Sequence, residues 1–219
     1  MSKRLENVIK RVKRLLALAN NTPYPGEAQT AHELAQMLIT KYQISEASFI
    51  DFNDFTDVIS QNVPTPAPYE LDKAILLNAI AKENYCRVLH GDGYCLIHGY
   101  ASDVHLCLAL YETLVEHMVS DMRSKRASID TDTKGWSKSF FAGYTVTIAE
   151  RLRQGKHKVI KGGSNIAVLM REKEHAIARY WEETNGGDKS TTKRVRSDHD
   201  GYRQGVYSAT NANLNKDNE

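Results

Sequence analysis

The sequence predicts an α+β chain that is mainly helical. An N-terminal helical hairpin (1–50) and a proline-rich linker (51–69) precede a domain (70–219) in which a small antiparallel β-hairpin sheet is covered by helices. Three observations carry this reading. Apolar residues recur at steps of three and four over 5–19, 28–42, 104–122 and 136–152, the period of a helix with one buried stripe. The dipeptide Asp92-Gly93 lies between the short apolar runs "CRVLH" and "YCLIHGY", the signal for a tight hairpin. Prolines 64, 66 and 68 set an extended backbone between the helical segments.

The 219 residues, 41% of them hydrophobic, are enough for a sizeable core. Lys+Arg 29 against Asp+Glu 27 leaves a formal charge of +2, so affinity for a polyanion must come from where the charges sit, not from their sum. The first residues, "MSKRLENVIKRVKRLL", are charged throughout, and nowhere do about eighteen apolar residues run together. A cytoplasmic protein without membrane contact is expected, within a bacterial host if the gene is a phage's. Three cysteines, an odd number, are expected as reduced thiols.

In the first helix Leu5, Val8, Ile9, Val12, Leu15, Leu16 and Ala19 form the apolar stripe, and Lys3, Arg4, Lys10, Arg11, Lys13 and Arg14 lie opposite. "NNTPYPGE" ends it with a turn, and Glu27 falls in the first turn of the second helix, where a carboxylate complements the helix dipole. There Ala28, Ala31, Leu34, Ala35, Leu38 and Tyr42 make a stripe of largely small residues suited to an antiparallel hairpin. Residues 9–45 resemble a short N-terminal helical domain of unknown function found in many phage and bacterial proteins. The resemblance rests on Leu-Leu-Ala-Leu-Ala at 15–19, Glu27-Ala28, Ala-x-x-Leu-Ala-Gln-x-Leu at 31–38 and Lys-Tyr-x-Ile at 41–44. It implies a phage-type accessory protein with a second, mostly helical domain, to which "SFFAGYTVTIAERL" is similar. It implies no activity and no catalytic residues.

With Asp92-Gly93 as the loop, His90 faces Cys95, Val88 faces Ile97 and Cys86 faces Gly99, while Arg87, Leu89, Leu96 and His98 point the other way. A zinc site needs four converging ligands. Only His90 and Cys95 are neighbours in this register, since Cys86 lies on the order of 13 Å along the strand and His98 is on the opposite face. The cysteines are therefore expected as core, with Cys107 in the stripe Val104, Cys107, Leu108, Tyr111, Leu114, Val115, Met118, Met122 of the next helix. That helix is expected over 102–126 with Ser102 as its N-cap, and with His105 and His117 solvated.

Trp136, Phe140, Phe141, Tyr144, Ile148 and Leu152 form the aromatic core stripe of a further helix, with Gly143 marking a close contact. "YRQGVYSATNANL" echoes "FFAGYTVTIAERL" with Gly205 under Gly143, as two helices crossing through small residues would require. Between them "GKHKVIKGGSN" reads as a turn that could present ammonium and backbone N–H groups to a phosphate. Residues 165–170 fit either strand or helix, and "TNGGDKSTTKRVRSDHDG" reads as a polar basic loop.

His-Glu-x-x-His, Gly-x-Ser-x-Gly, Cys-x-x-Cys and Walker patterns are all missing from the sequence. Glu172 with His175, and "SDHD" at 197–200, each lack the second motif a metal site needs and read as surface charge. Two function classes follow. The first is a non-enzymatic protein binding nucleic acid or an acidic host protein through Lys10, Arg11, Arg14, Lys156, Lys158, Lys161, Lys193, Arg194 and Arg196, with Tyr180 or Trp181 in contact. The alternative is a metal-dependent hydrolase near the 86–98 hairpin, with zinc on His90 and Cys95 and further ligands from elsewhere.

Overall fold

A computed structural model describes residues 3–22, 24–47, 57–127, 133–160, 164–185 and 198–210. Among these the chain is mainly helical, with a three-stranded antiparallel sheet in the order β1-β3-β2. Helix α1 (Lys3–Asn21) buries Leu5, Val12, Leu16 and Ala19 on one stripe, as the period requires. Helix α2 (Pro25–Ala47) returns beside it, and the two close through Ala19, Ala28 and Ala31. The turn between them is held by Thr22, whose hydroxyl donates to Glu27 at 2.6 Å and accepts from the Tyr24 N–H.

The α2 stripe differs from the expected one. Leu34 is 44% exposed, while His32, Gln36, Thr40 and Gln43 are buried. The reason is that α2 packs on both α1 and α5 (Thr133–Ile160), so two of its faces lie inside. Asn84 supplies the polar partner for the second face. It accepts from Gln36 at 3.0 Å through its side chain, accepts from Gln43 through its carbonyl, and donates to Ile80 O at 2.9 Å.

Part of the expected linker is a strand. Val58–Pro64 forms β1, paired along β3 (Tyr94–Tyr100) from Val58 opposite Tyr100 to Pro64 opposite Tyr94, with Val63 and Thr65 buried. Pro64, which can donate nothing to a ladder, stands at the strand's last position, where this matters least. Residues 48–56 lie outside the described residues. Nor does the core break between the segments expected as separate domains: Leu5, Val12, Leu16, Ile39 and Tyr42 belong to the same apolar cluster as Leu77, Ile97, Leu110 and Phe140.

After β1, α3 (Glu70–Glu83) buries Leu76, Leu77 and Ile80. The hairpin β2 (Arg87–His90) to β3 has the register read from Asp92-Gly93, with His90 opposite Cys95 and Val88 opposite Ile97. Gly91 N–H closes it on Tyr94 O at 2.9 Å, and Gly93 takes a φ of 73°, which glycine adopts without a Cβ penalty. Cys86 does lie over Gly99, its sulfur filling the space that a Cβ there would occupy.

Helix α4 (Ala101–Arg126) is the central element, buried along Val104, Leu106, Cys107, Leu110, Tyr111, Leu114, Met118 and Met122. Its N-cap is Tyr100, not Ser102, and no side chain caps it. His117, expected in solvent, is buried against the Tyr144 hydroxyl at 2.9 Å, and His105 is half-buried. Helix α5 carries the aromatic stripe inward as expected and continues through Lys156 and Lys158 to Ile160, so 155–160 of the expected turn is helix, and 161–163 lie outside the described residues. Helix α6 (Ser164–Asn185) makes 165–170 helical.

Helix α7 (His199–Thr210) crosses α5 backbone against backbone: a Cβ at Gly143 would overlap Tyr202 O, one at Gly201 Trp136 O, and one at Gly205 Phe140 O. The paired glycines of the sequence echo are thus the contact itself. "SDHD" serves the same junction. Asp198 accepts from Gly201 N–H at 2.8 Å as the cap of α7, and Asp200 accepts from Trp136 Nε1 at 3.0 Å.

Candidate functional site

The basic residues singled out from sequence fall into groups with different surroundings. Lys10, Arg11 and Arg14 are exposed within one and a half turns of α1. None of the three is held in an ion pair among the described residues. Lys10 and Arg14 line a shallow groove together with Glu6, Ile9, Lys13 and Ala17. Their neighbours on the same helix are engaged: Arg4 donates to Ser45 at 3.0 Å and lies over the Tyr42 ring, and Lys13 reaches Glu112 at 2.8 Å.

The two lysines near the end of α5 are turned to internal partners. Lys158 donates to the Glu33 carboxylate of α2. Lys156 is largely covered, donates to Glu83 O at 3.0 Å, lies 3.9 Å from the Glu83 carboxylate and stands 4.2 Å above the Tyr85 ring. Burial lowers the Lys156 ammonium below the ordinary lysine range, against the pull of Glu83. Neither lysine therefore presents a free ammonium to a phosphate. Lys161, Lys193, Arg194 and Arg196 lie outside the described residues. Trp181 and Tyr180 are half-buried, with Trp181 edge-on to the His98 ring at 5.2 Å, so they cover the sheet.

His90 and Cys95 share one face of the hairpin, but His90 ends the edge strand β2 and is exposed, whereas Cys95 lies on the central strand β3 and is fully buried. Among the described residues no three His, Cys, Asp or Glu side chains gather as metal ligands would. Glu172 and His175 stand exposed on α6.

The structure adds two buried polar clusters that sequence analysis did not single out. Asp103 in the first turn of α4 and Lys173 of α6 form an ion pair at 2.7 Å with both side chains fully buried. The Lys173 ammonium lies between the rings of Tyr85 and Tyr100, at 5.7 and 5.5 Å. Below it, Cys107 and Cys86 are in contact at 3.7 Å, and Cys86 donates onward to Asn84 O. Burial raises the Cys86 thiol well above its usual range and the Tyr85 hydroxyl likewise, the Asp103 carboxylate adding to both. A signal for Lys173 existed: it sits on the stripe Met170, Lys173, Ala176, Ile177, where a cation needs a buried partner.

In the second cluster Arg151 of α5 donates to the Ala209 and Thr210 carbonyls, the latter at 2.7 Å, and so satisfies the C-terminal end of α7. His32 Nδ1 lies 2.9 Å from Ala28 O, an acceptor, which places the proton on Nδ1. Burial, then the nearby Arg151 guanidinium, pushes His32 down to about 4. Burial lowers His117 as well, with Asp121 opposing.

Compared with known proteins, residues 7–46 match the model of a family described as "Protein of unknown function (DUF2786)". The match spans most of α1 and nearly all of α2, the segment whose motifs resembled such a domain, and it includes Lys10, Arg11 and Arg14. No curated protein and no solved structure matches the chain.

Proposed function

We propose that the protein is a non-enzymatic binding protein that engages the phosphate backbone of nucleic acid through the outer face of α1. The observation that carries this reading is the contrast among its cations. Among the described residues Lys10, Arg11 and Arg14 project from one exposed helical face without an acid partner, whereas Lys13, Lys156, Lys158 and Lys173 are each paired. Along the helix axis the trio covers about 6 Å, comparable with the reach of two successive phosphates on one strand. The contact is electrostatic and sequence-independent, since a helix face of Lys and Arg without neighbouring amide or aromatic groups reads charge, not base edges. The N-terminal resemblance supports a phage-type accessory role for such a protein, acting in a host cell.

The test is a titration of fluorescently labelled double- and single-stranded DNA with the wild-type chain and with the variant Lys10→Glu, Arg11→Glu, Arg14→Glu. Binding by the wild type and its loss in the variant, with an unchanged circular dichroism spectrum, is the expected result. Equal affinity of the two proteins removes α1 as the interface, and affinity for an acidic polypeptide but not for DNA assigns the same face to a protein partner.

A further inference from the structure

The three cysteines are not equivalent. Cys95 is buried on β3 opposite His90, while Cys86, at the entry to β2, and Cys107, in the second turn of α4, touch each other at 3.7 Å. Two features fix that contact. Gly99 leaves the space into which the Cys86 sulfur projects, and the left-handed backbone of Tyr85, at a φ of 59°, sets the direction in which Cys86 leaves the end of α3. The Cys107 thiol donates to the Cys86 sulfur, so the two groups face one another along the line on which a bond would form. A disulfide of about 2.0 Å requires the sulfurs to approach by roughly 1.7 Å, within the range of side-chain rotation.

We propose that Cys86 and Cys107 are a redox-active pair that closes to a disulfide on reaction with a peroxide. Cys86 is the attacking sulfur. It accepts the hydrogen bond from Cys107 and it retains 4% exposure where Cys107 has none. The Cys86 sulfur attacks one peroxide oxygen, the O–O bond breaks, and the departing hydroxide takes the thiol proton and leaves as water. Cys86 is then a sulfenic acid. The Cys107 sulfur attacks it, the S–O bond breaks, the second hydroxide takes the Cys107 proton, and a second water leaves as the S–S bond forms. Two electrons have passed from two thiols to one peroxide. Helix α6 approaches the pair through Lys173, which is held on Asp103, and packs Met170 with Ala47 and Tyr85, the residue before Cys86. Local opening of that helix admits the oxidant. The bond that results ties the entry of β2 to α4.

The experiment is mass spectrometry of the native full-length chain after hydrogen peroxide, quenched and alkylated, without and with later reduction. The expected result is loss of two hydrogens, a non-reducible-condition peptide pair containing Cys86 and Cys107, a fall from three free thiols to one at Cys95, and return to three on reduction. In Cys107→Ala a sulfenic acid trapped on Cys86 is expected in place of the cross-link. Survival of all three thiols in the wild type, oxygen added to single cysteines without a cross-link, or a disulfide that contains Cys95 would each overturn the proposal. The wild-type readout stands whether or not the variant folds.

Discussion

Lys10, Arg11 and Arg14 on α1 and Lys156 and Lys158 on α5 look alike in sequence, as short runs of cations on helices. Among the described residues the first group is exposed without an ion pair, and the second is turned onto Glu83 and Glu33. A further cation, Lys173, is fully buried on Asp103. The difference teaches that a run of positive charge becomes a binding surface only where the fold supplies no acid of its own. It also separates charges that hold the structure from those available to a ligand. Removing an inner charge should change stability, and removing an outer one should leave stability alone.

The largest effect is expected at the fully buried pair. Asp103→Ala leaves the Lys173 ammonium without its counter-charge in the interior and should cost about 3–5 kcal/mol in urea denaturation, while Asp103→Leu combined with Lys173→Met should recover much of that loss. A double variant no more stable than the single one would mean that the ion pair is favourable in itself.

Next is the pH dependence set by His32. Its folded-state value of about 4 lies below the unfolded 6.5, so the unfolded chain binds the proton first. The contribution is therefore intact above pH 6.5 and disappears as pH falls from 6.5 to 4, a loss on the order of 3 kcal/mol. His117 and His98, also lowered by burial, add in the same direction. Denaturation midpoints across this range should fall toward acid, and His32→Gln should flatten the fall; an unchanged slope in that variant would place the titration elsewhere.

Lys158 comes third. Its side chain is 54% exposed, so Lys158→Met should cost no more than about 1 kcal/mol even though the pair with Glu33 bridges α5 and α2. The smallest change in stability, within about 0.5 kcal/mol, is expected for Lys10→Gln, Arg11→Gln, Arg14→Gln, measured by thermal unfolding.

Much of the fold was legible because it is written in local patterns. The stripes of α1, α4 and α5 follow a period, the hairpin register follows from Asp92-Gly93, and the glycine echo between α5 and α7 marked a real crossing. What was hidden depends on partners distant in the chain. Strand β1 reads "VISQNVP", whose polar middle and terminal proline carry no alternation, and it is a strand because β3 offers it a ladder. The burial of Gln36 and Gln43 depends on Asn84, and the engagement of Lys158 depends on Glu33, 125 residues away. The outer face of α1 could be identified from sequence as basic. That it meets no acid among the described residues could not.

The central claim is that this face carries the contact with phosphates, and its most direct test is the salt dependence of DNA binding. The logarithm of the association constant should fall linearly with the logarithm of salt concentration, and the Lys10→Gln, Arg11→Gln, Arg14→Gln variant should show a slope shallower by about 3, near one counterion for each cation removed. Parallel slopes for the two proteins would contradict the account.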